Sequence, residues 1–219
     1  MVLGVAGSAF ALDKAELDQR IRSITGKFAV LQAKPDKAIP AETLRKAQGI
    51  ILLDRTKAGF IFGYQGGGGV AMLRDPNTGE WSTPAFLAAR EASLGFQAGR
   101  QQSFIVILLM KDNLTRVLTD PTYELGGEAR GTAGSSTRGV AASVSTKEPS
   151  LLVFDHRQGL YGGVATKGGA IVPDHEANRV YYGQTLSMDD ILVQHKGMPT
   201  DAVSGLVEKL SASPITASR

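Results

Sequence analysis

Lys57–Pro84, KAGFIFGYQGGGGVAMLRDPNTGEWSTP, is the stretch whose reading decides the fold. Ala58 to Tyr64 is rich in aromatic and β-branched residues and suits a pleated, half-buried strand. Gly66–Gly69 then reads as a hinge, since four residues without a Cβ adopt positive φ freely and admit a backbone or ligand at close range. Val70–Arg74 resumes strand character. Asp75-Pro76-Asn77-Thr78-Gly79 is turn chemistry: Pro presets φ, and Asn and Gly tolerate the left-handed region. Trp81, the only tryptophan, is expected to open the next strand. The stretch predicts a glycine-centred sheet that the rest of the chain covers.

Working outward, Asp13–Gln32 has helical periodicity. Leu17, Ile21, Ile24, Phe28 and Leu31 form one apolar stripe, and Asp13 with Glu16 three residues on supplies a start. Two readings of the stripe compete: it packs on the sheet, or it enters a membrane surface. Pro40 is expected to open a helix over Ala41–Gln48 that Gly49 stops. Ile50–Leu53 follows as the first strand, with Asp54–Lys57 turning the chain. Downstream, Ala85–Gly99 reads as a strand with a bulge, and Ser103–Met110 as a strand covered on both faces. Lys111–Leu118 reads as a short helix. Tyr123–Val144 reads as a hairpin of small-residue strands, with a flexible linker as the alternative. Leu151–Arg157 and Leu160–Ala165 suggest a hairpin through Gln158-Gly159, followed by a strand at Gly169–Val172. Three further helices are expected: Asp174–Tyr182, a capping-box start at Ser187 running to Gln194, and Thr200–Leu210. The fold class is therefore α+β: a glycine-rich, mainly antiparallel sheet or partly closed barrel, flanked by N- and C-terminal helices.

The 219 residues, 42% hydrophobic and 21% charged, describe an ordinary globular chain with material for a substantial core. The absence of cysteine excludes disulfides, a thiolate nucleophile and cysteine metal sites. The first eleven residues, MVLGVAGSAFA, look like the apolar region and cleavage site of a secretory signal without its basic start. That run is well short of the roughly 20 residues a membrane span needs. The expected organisation is a signal remnant at 1–11, an N-terminal amphipathic helix at 12–38 and the main domain at 39–219, in a periplasmic or secreted protein peripheral to a membrane.

Catalytic signatures are weak. The glycine run lacks the Lys-Ser/Thr of a phosphate loop, and a turn rather than a helix follows Arg74. No G-x-S-x-G elbow occurs, and His156, His175 and His195 lack metal-ligand spacing. Charge is more informative. The chain carries a net charge of +3, and its first 57 residues hold ten basic and six acidic side chains. Cations concentrated in this way suit an anionic surface. With 6% aromatics and no reader motif, nucleic acid is not the expected partner.

Six ordered blocks carry a resemblance: IPAETLRKAQGIILL, KAGFIFGYQGGGGVAMLRD, GEWSTPAF, LGFQAGRQQSFIVIL, FDHRQGLYGGVATKGGAIV and ANRVYYGQTLSMDDIL. Spanning about Ile39 to Leu192, they resemble the SYLF domain family. That family includes lipid- and actin-binding regions of yeast and animal adaptors with Src-homology-3 domains, and many bacterial envelope proteins. Two departures are the serine at 103, where the family often has an acidic residue, and the purity of the glycine run. The resemblance implies a binding module for anionic phospholipid, phosphoinositide in eukaryotic relatives. With a signal-like start it implies an envelope version, facing phosphatidylglycerol or cardiolipin rather than actin. Arg45, Lys46, Arg55 and Lys57, with Arg20, Arg22 and Lys27, are the expected headgroup ligands. Phe60, Tyr64 and Gly66, Gly67, Gly68 and Gly69 are the expected acyl-chain or loop contacts. No catalytic residue, metal or cofactor is expected. Competing readings are an enzyme on lipid or cell-wall material using Asp155, His156 or His175, and a structural envelope protein that binds a protein partner. A convergent His–carboxylate cleft would favour the enzyme, a basic face beside an apolar strip the lipid, and an apolar patch without basic flanks the protein partner.

Overall fold

The computed structural model describes residues 12–59, 64–92, 97–111, 118, 132–133, 138–139, 151–158, 161–163 and 169–212. Among these, nine strands form one sheet: β1 (Gly49–Gly59), β2 (Tyr64–Leu73), β3 (Ala85–Ala92), β4 (Gln97–Leu109), β5 (Thr132–Ala133), β6 (Arg138–Gly139), β7 (Leu151–Gln158), β8 (Tyr161–Gly163) and β9 (Gly169–Pro173). The order is β5-β6-β7-β4-β1-β2-β3-β9, with β8 also on β4. Every pairing is antiparallel. The path is open, with β5 and β9 at its ends, so the α+β class holds without closure into a barrel.

The central strand is longer than its apolar run. Asp54–Lys57 does not turn; β1 continues to Gly59, with Asp54 opposite both Gly68 and Phe104. Those four residues contain no Gly or Pro breaker, and a ladder on each side satisfies their backbone groups. The glycine run is likewise strand and not hinge. Gly66–Gly69 pair with Thr56–Leu53 on one side and Arg90–Leu87 on the other. What the fold uses at Gly69 is the missing side chain: a Cβ there would lie 2.3 Å from the Leu52 carbonyl oxygen.

The predicted turn forms. Asp75 Oδ1 accepts from the backbone N–H groups of Asn77 and Thr78 at 2.7 and 2.8 Å, and Gly79 sits at φ 74°. Trp81 does not open a strand but bridges back to Arg74, and β3 begins at Ala85. The single strand expected over Ala85–Gly99 is two, β3 and β4, which lie on opposite sides of the β1–β2 pair. β4 carries on through the apolar run expected at Ser103–Met110. The expected hairpin of Leu151–Arg157 with Leu160–Ala165 is not the pairing seen: β7 and β8 follow one register along β4, with Gln102 opposite Gln158 and Gly99 opposite Tyr161, and Gly159 lies outside the described residues. The pairing of β5 with β6 gives a minimal hairpin inside Tyr123–Val144. The rest of that segment lies outside the described residues, as do residues 1–11 and the Lys111–Leu118 helix, apart from Lys111 and a buried Leu118.

Five helices are described: α1 (Lys14–Gln32), α2 (Ala41–Lys46), α3 (His175–Tyr182), α4 (Met188–Leu192) and α5 (Asp201–Ser211). Asp13 caps α1 by accepting from the Glu16 N–H at 2.7 Å, and Ser187 and Asp190 close a capping box on α4. α2 is shorter than expected; Pro40 is its N-cap, and Gly49 starts β1 instead of stopping a helix.

Strand alternation divides the apolar residues between two cores. Ile50, Leu52, Val70, Met72, Phe86, Val106 and Leu108 face one side, packed with α1 and α5. Ile51, Leu53, Ala71, Leu73, Leu87, Ile107 and Leu109 face the other, with Met188, Ile191 and Leu192 of α4. The five stripe residues of α1 are 0–2% exposed, so the packed reading of the stripe holds. Burying side chains of this size stabilises by roughly 1.5–3 kcal/mol each.

Candidate functional site

The expected headgroup residues divide by element. Arg20 and Lys27 project from α1 onto the sheet, where carboxylates receive them. Arg20 Nη1 lies 3.8 Å from Asp174 Oδ2, its guanidinium is 6.0 Å from the Phe86 ring centroid, and Lys27 pairs with Asp54. Gly68 makes room for this arrangement, because a Cβ there would stand 2.8 Å from Arg20 Nη1. Arg22 sits on the solvent side of α1, and Arg45 and Lys46 end α2, all three exposed. Lys46 meets Glu42 at 2.8 Å, one turn back, and holds that carboxyl below its usual range.

Arg55 and Lys57 occupy β1 register positions on the face of Ile51 and Leu53, whereas α1 covers the face of Ile50 and Leu52. The register therefore separates these two positions from the α1 cations. Tyr64 opens β2 opposite Ala58 and Ala92, Gly66 and Gly67 lie within the strand, and Phe60 falls outside the described residues.

A polar triad ties three helices together. The Tyr181 hydroxyl donates to Asp18 Oδ1 at 2.9 Å, Thr200 Oγ1 donates to the same oxygen at 2.8 Å, and the two hydroxyls are 2.8 Å apart. Burial pushes the Tyr181 phenol up to about 12, so it remains a neutral hydrogen-bonding group rather than a proton-transfer group near neutrality.

One concave surface was not anticipated. Trp81, Ser82 and Thr83 line one side of a groove of about 600 Å³; His195, Gly197 and Pro199 line its end, and Val203, Ser204, Val207, Glu208 and Ser211 of α5 its other side. Its lining is mostly apolar and contains no Lys or Arg. Arg74 stacks behind it, 4.2 Å from the Trp81 ring centroid, and donates to the carbonyls of Gly79 at 2.7 Å and Ala47 at 3.2 Å. His195 takes φ 52°, and Gly197 is pressed so close that a Cβ would lie 2.5 Å from both Thr83 Oγ1 and Tyr182 Cε1. Met198 is 82% exposed beside this loop and Val193 54%. The sequence signal that pointed here was the lone tryptophan. The α5 half of the groove is more than 120 positions away in the chain, and nothing local connects the two.

Among the described residues the histidine–carboxylate reading gains no cleft. Asp155 and His156 are adjacent in β7, opposite Ile105 and Phe104, so the pleat assigns their positions to opposite faces. His175 begins α3 and is exposed. Among the described residues no three His, Asp or Glu side chains group to hold a metal, and no helix is long and apolar enough to cross a membrane.

A family model described as "Ysc84: Las17-binding protein actin regulator" matches residues 90–213. The chain is 32% identical over 171 residues to "SH3 domain-containing YSC84-like protein 1" of Homo sapiens, covering 77% of this chain and 49% of that protein. The Xenopus laevis protein of the same name is 29% identical over 189 residues, covering 84% and 56%. "LAS seventeen-binding protein 3" of Saccharomyces cerevisiae (strain ATCC 204508 / S288c) is 32% identical over 161 residues, covering 72% and 35%. The chain thus spans about half the length of the animal relatives and 35% of the yeast one. No solved structure matches it.

Proposed function

The chain belongs to the SYLF (Ysc84) family, and on that premise we propose that it is a binding module that attaches peripherally to anionic phospholipid surfaces. The observation that carries this is the exposure of Arg22, Arg45 and Lys46 on α1 and α2, in the part of the chain that holds its positive surplus. Each cation near an anionic leaflet contributes about 1 kcal/mol, so three to five give weak, salt-sensitive attachment. Arg20 and Lys27 are part-buried against Asp174 and Asp54 and support α1 rather than the headgroup contact, whereas Lys46 and its partner Glu42 both stay exposed. Because the α1 stripe is buried, attachment is electrostatic and needs no insertion of that helix. The signal-like start supports reading this surface as one in a bacterial envelope, with phosphatidylglycerol or cardiolipin as the lipid. Cleavage between Ala11 and Leu12 in an exported precursor, read by N-terminal sequencing, would support that location; an uncleaved cytosolic product would remove it.

Flotation with phosphatidylglycerol vesicles across a salt series tests the lipid reading. Wild type should float at low salt and fade as salt rises, and Arg22→Glu with Arg45→Glu and Lys46→Glu should abolish flotation. Equal flotation of that triple variant would sink the α1–α2 face. A parallel charge reversal at Arg55 and Lys57 asks whether the β1 positions contribute. The relatives' names describe proteins that bind Las17 or carry SH3 domains, and the family description adds actin regulation. A protein partner is therefore the second reading, and the cation-free groove with exposed Val193 and Met198 near its end favours it.

A further inference from the structure

We propose that the sheet face opposite α1 carries a phosphate-binding site centred on Arg55 and Arg157. The site lies across the sheet from the α1–α2 cations, so it does not depend on the phospholipid reading of that surface.

Strand register brings these residues together. Arg55 of β1 is opposite Ser103 of β4, and Ser103 is opposite Arg157 of β7. The three positions form one row, on the face of Ile51 and Leu53. Neighbouring strands run about 4.8 Å apart, which sets the two arginine backbones about 10 Å apart with a serine between them. Lys57, two residues along β1, occupies the next row on the same face, between Gln65 and Gln101. The apolar rows of this face, at Ile51 and Leu53, pack with Met188, Ile191 and Leu192 of α4. At Arg55 the pattern changes from apolar to cationic.

The charges in this row lack an answer at its centre. The same-face positions next to Arg55, along the strand and across it, are Leu53, Lys57, Gly67 and Ser103, none of them acidic. Two acids lie at the margins: Asp155 precedes Arg157 by two residues on β7, and Glu91 lies two strands from Lys57. Like charges on one face of a sheet repel, and an anion seated over Ser103 replaces that repulsion with attraction to both sides. The ligand's shape follows. A carboxylate is planar and is filled by one guanidinium fork, whereas a phosphate group presents oxygens in several directions and takes forks from two sides. Serine adds a hydroxyl donor, and Gly67 on the other flank of Arg55 has no side chain to crowd the ligand.

Inorganic phosphate, titrated into the full chain against chloride at fixed ionic strength, tests the site. Phosphate should shift the Ser103 backbone amide resonance and raise the thermal midpoint, as a ligand of the native state does. Arg55→Gln and Arg157→Gln should each weaken binding at least about tenfold, while charge reversal at Arg22, Arg45 and Lys46 leaves it intact. Ser103→Asp sets an acid between the two arginines, so it should raise the midpoint in chloride and abolish the phosphate response. That variant keeps the test decisive if an arginine variant fails to fold. Dihexanoyl phosphatidylglycerol below its micelle concentration separates the sources of the phosphate group: tighter binding than phosphate identifies a lipid headgroup, and equal or weaker binding a free phosphate compound. No response to either probe, an equal response to chloride, or a response that survives both arginine substitutions would each overturn the proposal. Arginines serving only the fold would betray themselves by a lower midpoint of Arg157→Gln in chloride with no phosphate response in the wild type.

Discussion

Gly68 and Gly69 are neighbours in one strand, yet the absence of a side chain does different work at each. A Cβ on Gly69 would strike the Leu52 carbonyl oxygen at 2.3 Å, which is backbone in the central strand and cannot yield. Gly69→Ala should therefore lower stability by about 1–3 kcal/mol, the scale of overpacking. A Cβ on Gly68 would meet the end of the Arg20 side chain at 2.8 Å, and that guanidinium can swing aside. Gly68→Ala should cost well under about 1 kcal/mol, seen as a smaller shift in the urea midpoint. Equal midpoints would show that the strand flexes at both sites. Glycine runs suggest freedom of φ from sequence alone, and that is why Gly66–Gly69 read as a hinge. Crowding by a neighbouring strand has no local signature. Tyr181 offers a second residue-scale test. Its phenol is raised to about 12, chiefly by burial, so the stability tied to its neutral form is complete below about 10 and lost as pH rises through 12. Tyr181→Phe should remove that part of the alkaline unfolding and cost about 1 kcal/mol at neutral pH through the lost hydroxyl bonds.

At the scale of elements, caps and periodicity were legible and strand ends were not. The α1 stripe recurs every three or four residues and is buried throughout, because a helix facing one core writes its period into the sequence. Asp13→Ala should destabilise by about 1 kcal/mol, the usual worth of an N-cap, read as a lower thermal midpoint. Asp190 makes the α4 cap testable by pH. The hydrogen bond from Lys196 comes first, then those from Ser187, in bringing its carboxyl down to about 2. The stabilisation is thus present above the ordinary aspartate range and lost as pH falls through about 2. Carbon-detected titration should find a midpoint near 2, rising toward the ordinary value in Ser187→Ala with Lys196→Ala; an ordinary midpoint in the wild type would mean the box does not form. Strand boundaries failed where polar residues continue a ladder, as at Asp54–Lys57, and where two segments expected to pair with each other, β7 and β8, both pair with β4. Both errors share one cause, since a strand is completed by partners far away in the chain.

For the whole molecule, the sequence predicted cations near the start, and among the described side chains the structure divides these between part-buried pairs, Arg20 and Lys27, and exposed positions, Arg22, Arg45 and Lys46. The groove escaped prediction because its two sides meet only after folding. The first and last described helices, α1 and α5, pack on each other, and the Asp18 carboxylate joins Tyr181 and Thr200 across 163 and 182 residues of chain. Leu206→Ala, deep in that contact, should cost about 2–5 kcal/mol and should speed hydrogen exchange in α1 as well as α5; loosening confined to α5 would show the helices are not coupled. During synthesis the sheet face beneath α1 cannot be sealed until α5 emerges. Until α5 is made, then, the apolar stripe lacks part of its final packing, and contacts of such long sequence range form slowly. The nascent chain is consequently a natural client for a holding chaperone until that contact can form.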